Sequence, residues 1–214
     1  MFTYLQIWGN SASFQAAFSS TLPIFAAHQI LMELQQINIT YQHREDRLLI
    51  RLAFGEAGMP EQTSEIGVHF TRRMTMMFWP KLIEAMNRQL ILSQPQAAHA
   101  SSEMVAMEHE AAVQEAQQRG GFSSDYELDH KTVNHPLGEA PLIPDQIDLT
   151  PRKDQVIELN FIFNQNPGFK IKLAKSVLHG FCKLMQSAVE HADWGFILEI
   201  PGATPGDNEA AFLN

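Results

Sequence analysis

The densest set of groups able to hold a metal or move a proton is DYELDHKTVNH, residues 125–135, where Asp125, Glu127, Asp129, His130 and His135 follow closely on one another. Imidazole nitrogen and carboxylate oxygen together suit borderline divalent metals, or the acid–base steps of a small-molecule enzyme. The spacing of His130 and His135 matches no fixed ligand motif. HEAAV, residues 109–113, also lacks the second histidine of a metalloprotease helix. Polar histidines in acidic loops, with His99 and His109 a little upstream, are ordinarily solvated. No metal or other cofactor is therefore expected, and an enzyme using His130, His135, Asp129 and His69 is kept as the alternative reading.

A second group is basic. In GVHFTRRMTMMFWPKL, residues 67–82, His69 alternates with Val68 and Phe70, so it points away from the apolar side of a strand, and Arg72 and Arg73 follow it. Arg47 and Arg51 belong to a neighbouring alternating run, and Lys170 to a later one. His69, Arg72, Arg73, Arg47 and Arg51 would together tint an outer sheet face basic. That pattern fits a docking surface for an acidic protein partner, the chain's own acidic stretch included. The methionine, phenylalanine and tryptophan residues between these cations fall where core residues are needed, and methionine fills irregular gaps well.

Other chemistries are missing their templates. There is no glycine-rich phosphate loop, no G-x-S-x-G elbow, and no basic and aromatic interleaving of a single-strand nucleic-acid groove. Cys182, the one cysteine, sits among apolar residues and reads as a small buried hydrophobe. One thiol excludes an internal disulfide, and the opening MFTYLQIWGN lacks the features of a signal peptide, so a reducing cytoplasm is expected. No apolar run reaches the roughly 18 residues of a membrane span. The formal charge of −9 argues against nucleic acid, yet residues 93–150 alone hold ten acids and two bases.

The elements that would position these residues come in repeated units. Leu48, Ile50, Leu52 and Phe54 alternate with more polar neighbours, as do Ile157, Leu159, Phe161 and Phe163, which predicts half-buried strands. Written without gaps, residues 66–86 lie over 169–189 with their large apolar positions coincident: Val68 on Ile171, Phe70 on Leu173, Phe78 on Phe181, Leu82 on Met185 and Met86 on Val189. A fainter third copy covers residues 14–34, preceded by a strand Phe2–Trp8. Thr21, Thr71 and Ser176 are candidate helix N-caps, and Gly195 is the candidate end of the last helix. Pro80 either bends its helix or marks its start.

These observations predict an α+β fold: one antiparallel sheet of roughly seven strands, built from strand–turn–strand–helix units, with helices packed on one face and a long acidic insert. Residues 1–92 would form a first folded part of two such units. Residues 93–150 would be a flexible insert holding one helix, Glu103–Arg119. Residues 151–201 would add a third unit and a final strand, Phe196–Ile200, in the same sheet, and 202–214 a flexible tail. The function expected of such a chain is non-catalytic: an adaptor or accessory subunit that self-associates or joins a larger complex.

Overall fold

The computed structural model describes residues 32–56, 59–118 and 133–202, all of which belong to one compact unit running from Leu31 to Asn214. Two antiparallel three-stranded sheets are present. The first contains β1 (Met32–Gln42), β2 (Arg47–Glu56) and β3 (Met59–Thr71), the second β4 (Gln146–Pro151), β5 (Val156–Ile162) and β6 (Phe169–Ala174). Alternation sets the register of both. Ile39, Ile50 and Val68 lie side by side across the first sheet, and Leu149, Leu159 and Ile171 across the second, so each row turns its branched side chains to one side.

Each third strand runs directly into a helix: α1 (Arg72–Ser93) after β3 and α3 (Lys175–Ala192) after β6. Thr71 caps α1, its hydroxyl accepting from the Met74 amide at 3.2 Å. The helix continues through Pro80, which has no amide hydrogen to give the Met76 carbonyl. The helices cross to the opposite half, α1 lying against β4 and α3 against β1. Where they approach one another, Phe78 and Phe181 meet edge to face, ring centroids 6.3 Å apart, and Met86 lies 3.8 Å from the Cys182 sulfur. One continuous core results, holding Leu48, Ile50, Leu82, Leu159, Leu173 and Met185 with no measurable exposure.

Several expectations are corrected here. Among the described residues the strands form two three-stranded sheets, with β4, a six-residue strand almost wholly within the stretch read as insert, as the first strand of the second half. Phe196–Ile200 is not a strand. Its backbone is held by side chains instead: the Trp79 indole donates to the Glu199 carbonyl at 2.7 Å and the Gln186 amide to the Leu198 carbonyl at 2.8 Å. Much of the stretch 93–150 enters the fold. A 3₁₀ turn, Pro95–Ala100, leads into α2 (Ser101–Gln118), which buries Val105, Ala106 and His109. Asn134 and Leu142 then pair in parallel with the outer edge of β3 through four backbone hydrogen bonds of 2.8 to 3.0 Å. Covering an edge in this way also blocks pairing with another chain. Gly67 allows the close approach there, since a Cβ would lie 3.2 Å from the Pro141 ring.

The remaining differences are local. Ala174, not Ser176, precedes the first turn of α3, and that helix stops at Asp193 in the left-handed conformation, φ 49°, two residues ahead of Gly195. The proposed third copy, residues 14–34, falls outside the described residues except where 32–34 open β1. So do the caps and strand placed at Thr21 and Phe2–Trp8, and most of the tail.

The crossing of α1 and α3 makes a quantitative expectation. Phe78→Ala and Phe181→Ala should each cost about 3 to 5 kcal/mol in urea unfolding, as large buried aromatics do. Because the rings touch, the double variant should cost less than the sum by about 0.5 to 1.5 kcal/mol. Strict additivity would show that the ring contact carries no coupling.

Candidate functional site

The crossing of each helix over the opposite half's first strand leaves a groove. On α1 the groove wall is made by Arg73, Met74, Met77, Phe78 and Lys81, facing Pro144–Ile147 across a space of about 360 Å³. A second hollow of about 270 Å³ continues it along α1, sharing Lys81 and Ile147 and ending at Arg88 and Pro151. On α3 the wall is Ser176, Val177, Gly180, Phe181 and Leu184, facing Leu34–Ile37 across about 290 Å³. In the gapless superposition Arg73 falls on Ser176, Met74 on Val177, Met77 on Gly180, Phe78 on Phe181 and Lys81 on Leu184. The sheet registers likewise place Gln146 and Ile147 where Gln36 and Ile37 stand in the first half. The two grooves thus occupy corresponding positions. Met76 (53 % exposed), Met77 (55 %) and Val177 (41 %) present apolar surface at or beside them.

A further hollow, about 530 Å³, lies elsewhere, between α2, the β4–β5 turn and the start of α3. Glu108 projects from α2 and meets the Lys175 ammonium at 2.5 Å; its other oxygen is 3.9 Å from Nε2 of His179, too far for a hydrogen bond. Behind this pair His179 and His109 are both sunk below the surface, ring centroids 5.6 Å apart, and neither Nδ1 atom has a hydrogen-bond partner among the described residues. Burial, then each neighbouring positive or imidazole group, pushes His179 down to about 4. Burial also lowers His109, against a hydrogen bond with Gln186 that favours its charged form. Glu108 stands close enough to His179 to favour the imidazolium, but its charge is already taken up by Lys175, so desolvation prevails. The arrangement is a buried histidine pair, held between two helices, whose desolvation favours the uncharged form of each ring. Nothing in the sequence pattern marked it: His109 was grouped with the polar histidines of the insert, and His179 sits in an apolar helix with no spacing signal.

The basic residues expected to share one face are divided among three places. Arg47, Arg51 and His69 do share the sheet face opposite Leu48, Ile50 and Val68, and all three are half-buried. Burial, and then the Arg47 charge, lowers the His69 pKa, while Glu45 acts the other way. Arg72 opens α1 with its guanidinium 5.9 Å from the centre of the Phe196 ring. Close by, the Asp46 carboxylate accepts from the Trp194 indole at 2.7 Å and the Tyr41 hydroxyl at 2.9 Å, which hold it below the usual carboxylate range. Arg73 alone rims a groove. Of the acidic and histidine set, Asp125, Glu127, Asp129 and His130 fall outside the described residues. His135 lies in a turn where its carbonyl accepts from Gly138. Among the described residues no cluster of three or more His, Cys, Asp or Glu side chains forms a metal-binding group. Cys182 is fully buried, and desolvation pushes its thiol up to about 12.

Comparison with protein-family models, curated proteins and solved structures finds no match for this chain.

The histidine pair predicts a pH dependence whose sign follows from the direction of the shifts. In the folded protein His179 binds its proton near pH 4, in the unfolded chain near 6.5, so the unfolded state takes up protons first as pH falls. The contribution is complete above about pH 6.5 and is lost progressively down to about pH 4, reaching about 3 kcal/mol for His179. His109 adds in the same direction, with Glu108, Glu110, Lys175, Lys183 and Gln186 as the surrounding groups. Urea unfolding at pH 7.5 and pH 4.5 should therefore show a smaller acid loss in His179→Leu than in the wild type. An equal loss in both proteins would mean that His179 is already protonated when folded.

Proposed function

We propose that this protein is a non-catalytic interaction protein, an adaptor or accessory subunit whose grooves receive segments of a protein partner. The observation that carries the reading is the pair of corresponding grooves, each formed where a helix crosses the first strand of the opposite half. Binding sites are concave and largely apolar with a few polar groups at fixed places, and methionine side chains adapt to varied apolar surfaces. Met74 and Met77 line the α1 groove, with Val177 and Phe181 at the α3 groove.

In this reading the two βββα halves are copies of one unit, and the duplication yields two related docking positions on one chain. Self-association belongs to the same picture, since a groove that takes a partner segment can take one from a second copy. The one buried thiol and the lack of a membrane-spanning helix among the described residues fit a cytoplasmic setting.

The test is capture of partners from the native source by the full-length protein, with Met77→Lys and Val177→Lys run beside the wild type. Both side chains are exposed, so each change should leave stability within about 0.5 kcal/mol. Loss of specific partners in either variant, with an unchanged melting temperature, is the expected result. A partner set, or a self-association measured by sedimentation, that ignores both changes would remove the grooves from the function.

A further inference from the structure

We infer that the α1 groove is a docking site for a protein segment that carries acidic side chains about 12 Å apart with large apolar residues between them. The inference rests on the interaction reading and names the partner chemistry of one of its two grooves. Arg73 and Lys81 stand two helical turns apart on α1, about 12 Å along the axis, and Met74, Met77 and Phe78 lie between them. Both cations are exposed, and neither forms an ion pair with the described residues. The groove's own carboxylate, Asp145, is engaged in holding the Asn164 amide at 2.7 Å. Farther along α1, Arg88 is paired with Glu84. Asp145 keeps its charge in that contact, so the groove carries two cations, unpaired among the described residues, against one carboxylate and is net positive, on a protein whose formal net charge is −9.

The corresponding groove supplies the control. It has the same helix-over-strand construction, yet Ser176 stands where Arg73 does and Leu184 where Lys81 does. The construction thus stands without cations at these positions, so packing does not account for Arg73 and Lys81. Complementary charge at the rim of an apolar site steers association and selects the partner, with an affinity that falls as salt rises.

The experiment selects binders from a random dodecapeptide library displayed on phage, using the full-length protein, and measures the enriched peptides by fluorescence anisotropy at low and high salt. The inference expects peptides that combine Asp or Glu with large apolar residues. Their affinity should fall at least about tenfold in Arg73→Glu/Lys81→Glu and fall in high salt for the wild type, while Val177→Lys leaves it unchanged. Should the double reversal fail to fold by circular dichroism, Arg73→Gln/Lys81→Gln takes its place, with the same direction of effect. Enriched peptides without acidic residues, or binding indifferent to both double variants, overturn this inference. If such binding is lost in Val177→Lys instead, the interaction reading stands and only the assignment to the α1 groove fails. No enrichment over the bare support removes both.

Discussion

Each three-stranded sheet has one apolar face to cover, and a half of that size buries a smaller share of its surface than the whole does. The chain resolves this by exchange: α1 lies on the first strand of the second half and α3 on the first strand of the first half. The exchange requires the two helices to pass one another, and Phe78 and Phe181 meet at that passage. Every other feature depends on it. The halves share a single core because their helices are exchanged, and the grooves exist because a helix crossing a strand touches it along part of its length and stands off elsewhere.

The additions around this centre work as ties. The segment after α3 runs back over both helices, fastened by Trp79 and Gln186 to its carbonyls and by Trp194 to Asp46 in the β1–β2 turn. The stretch before β4 lies along β3 through backbone hydrogen bonds, with Leu137 and Leu142 packed against the core. Helix α2 is different, because part of its contact with α3 is a pair of buried histidines whose surroundings favour the uncharged form.

What the sequence disclosed, and what it withheld, follows from which forces leave a side-chain record. Burial does. The alternation of Leu48 to Phe54 and of Ile157 to Phe163 located β2 and β5, and the gapless pairing of 66–86 with 169–189 places both strand-to-helix junctions at matching positions, after Thr71 and after Ala174. Backbone pairing does not. Asn134 and Leu142 join β3 through amides and carbonyls, which any residue possesses, and β4 shows only Ile147 and Leu149 on its apolar side, too few to stand out in an acidic stretch. Alternation also reports which side of a strand is apolar and not which strand lies next to it, so one long sheet and two short ones look alike. The same limit applies to the basic residues. Facing could be read for His69, Arg47 and Arg51, but the separate surroundings of Arg72 and Arg73 depend on Phe196 and Pro144–Ile147, remote in sequence.

Comparison of the halves separates positions that folding requires from positions it leaves open. Where both members of a pair are apolar and buried, as in Val68 and Ile171, Phe78 and Phe181, Leu82 and Met185, or Met86 and Val189, the core dictates the residue. Where the members differ in character and one is exposed, as in Arg73 and Ser176, Met77 and Gly180, or Lys81 and Leu184, the construction tolerates either, and packing cannot explain the choice. These three pairs line the two grooves, while other differing pairs lie elsewhere, as in Gly67 and Lys170 or Met76 and His179. The two halves therefore agree where the shared core constrains them and are free to differ at exposed positions, those at the groove rims included.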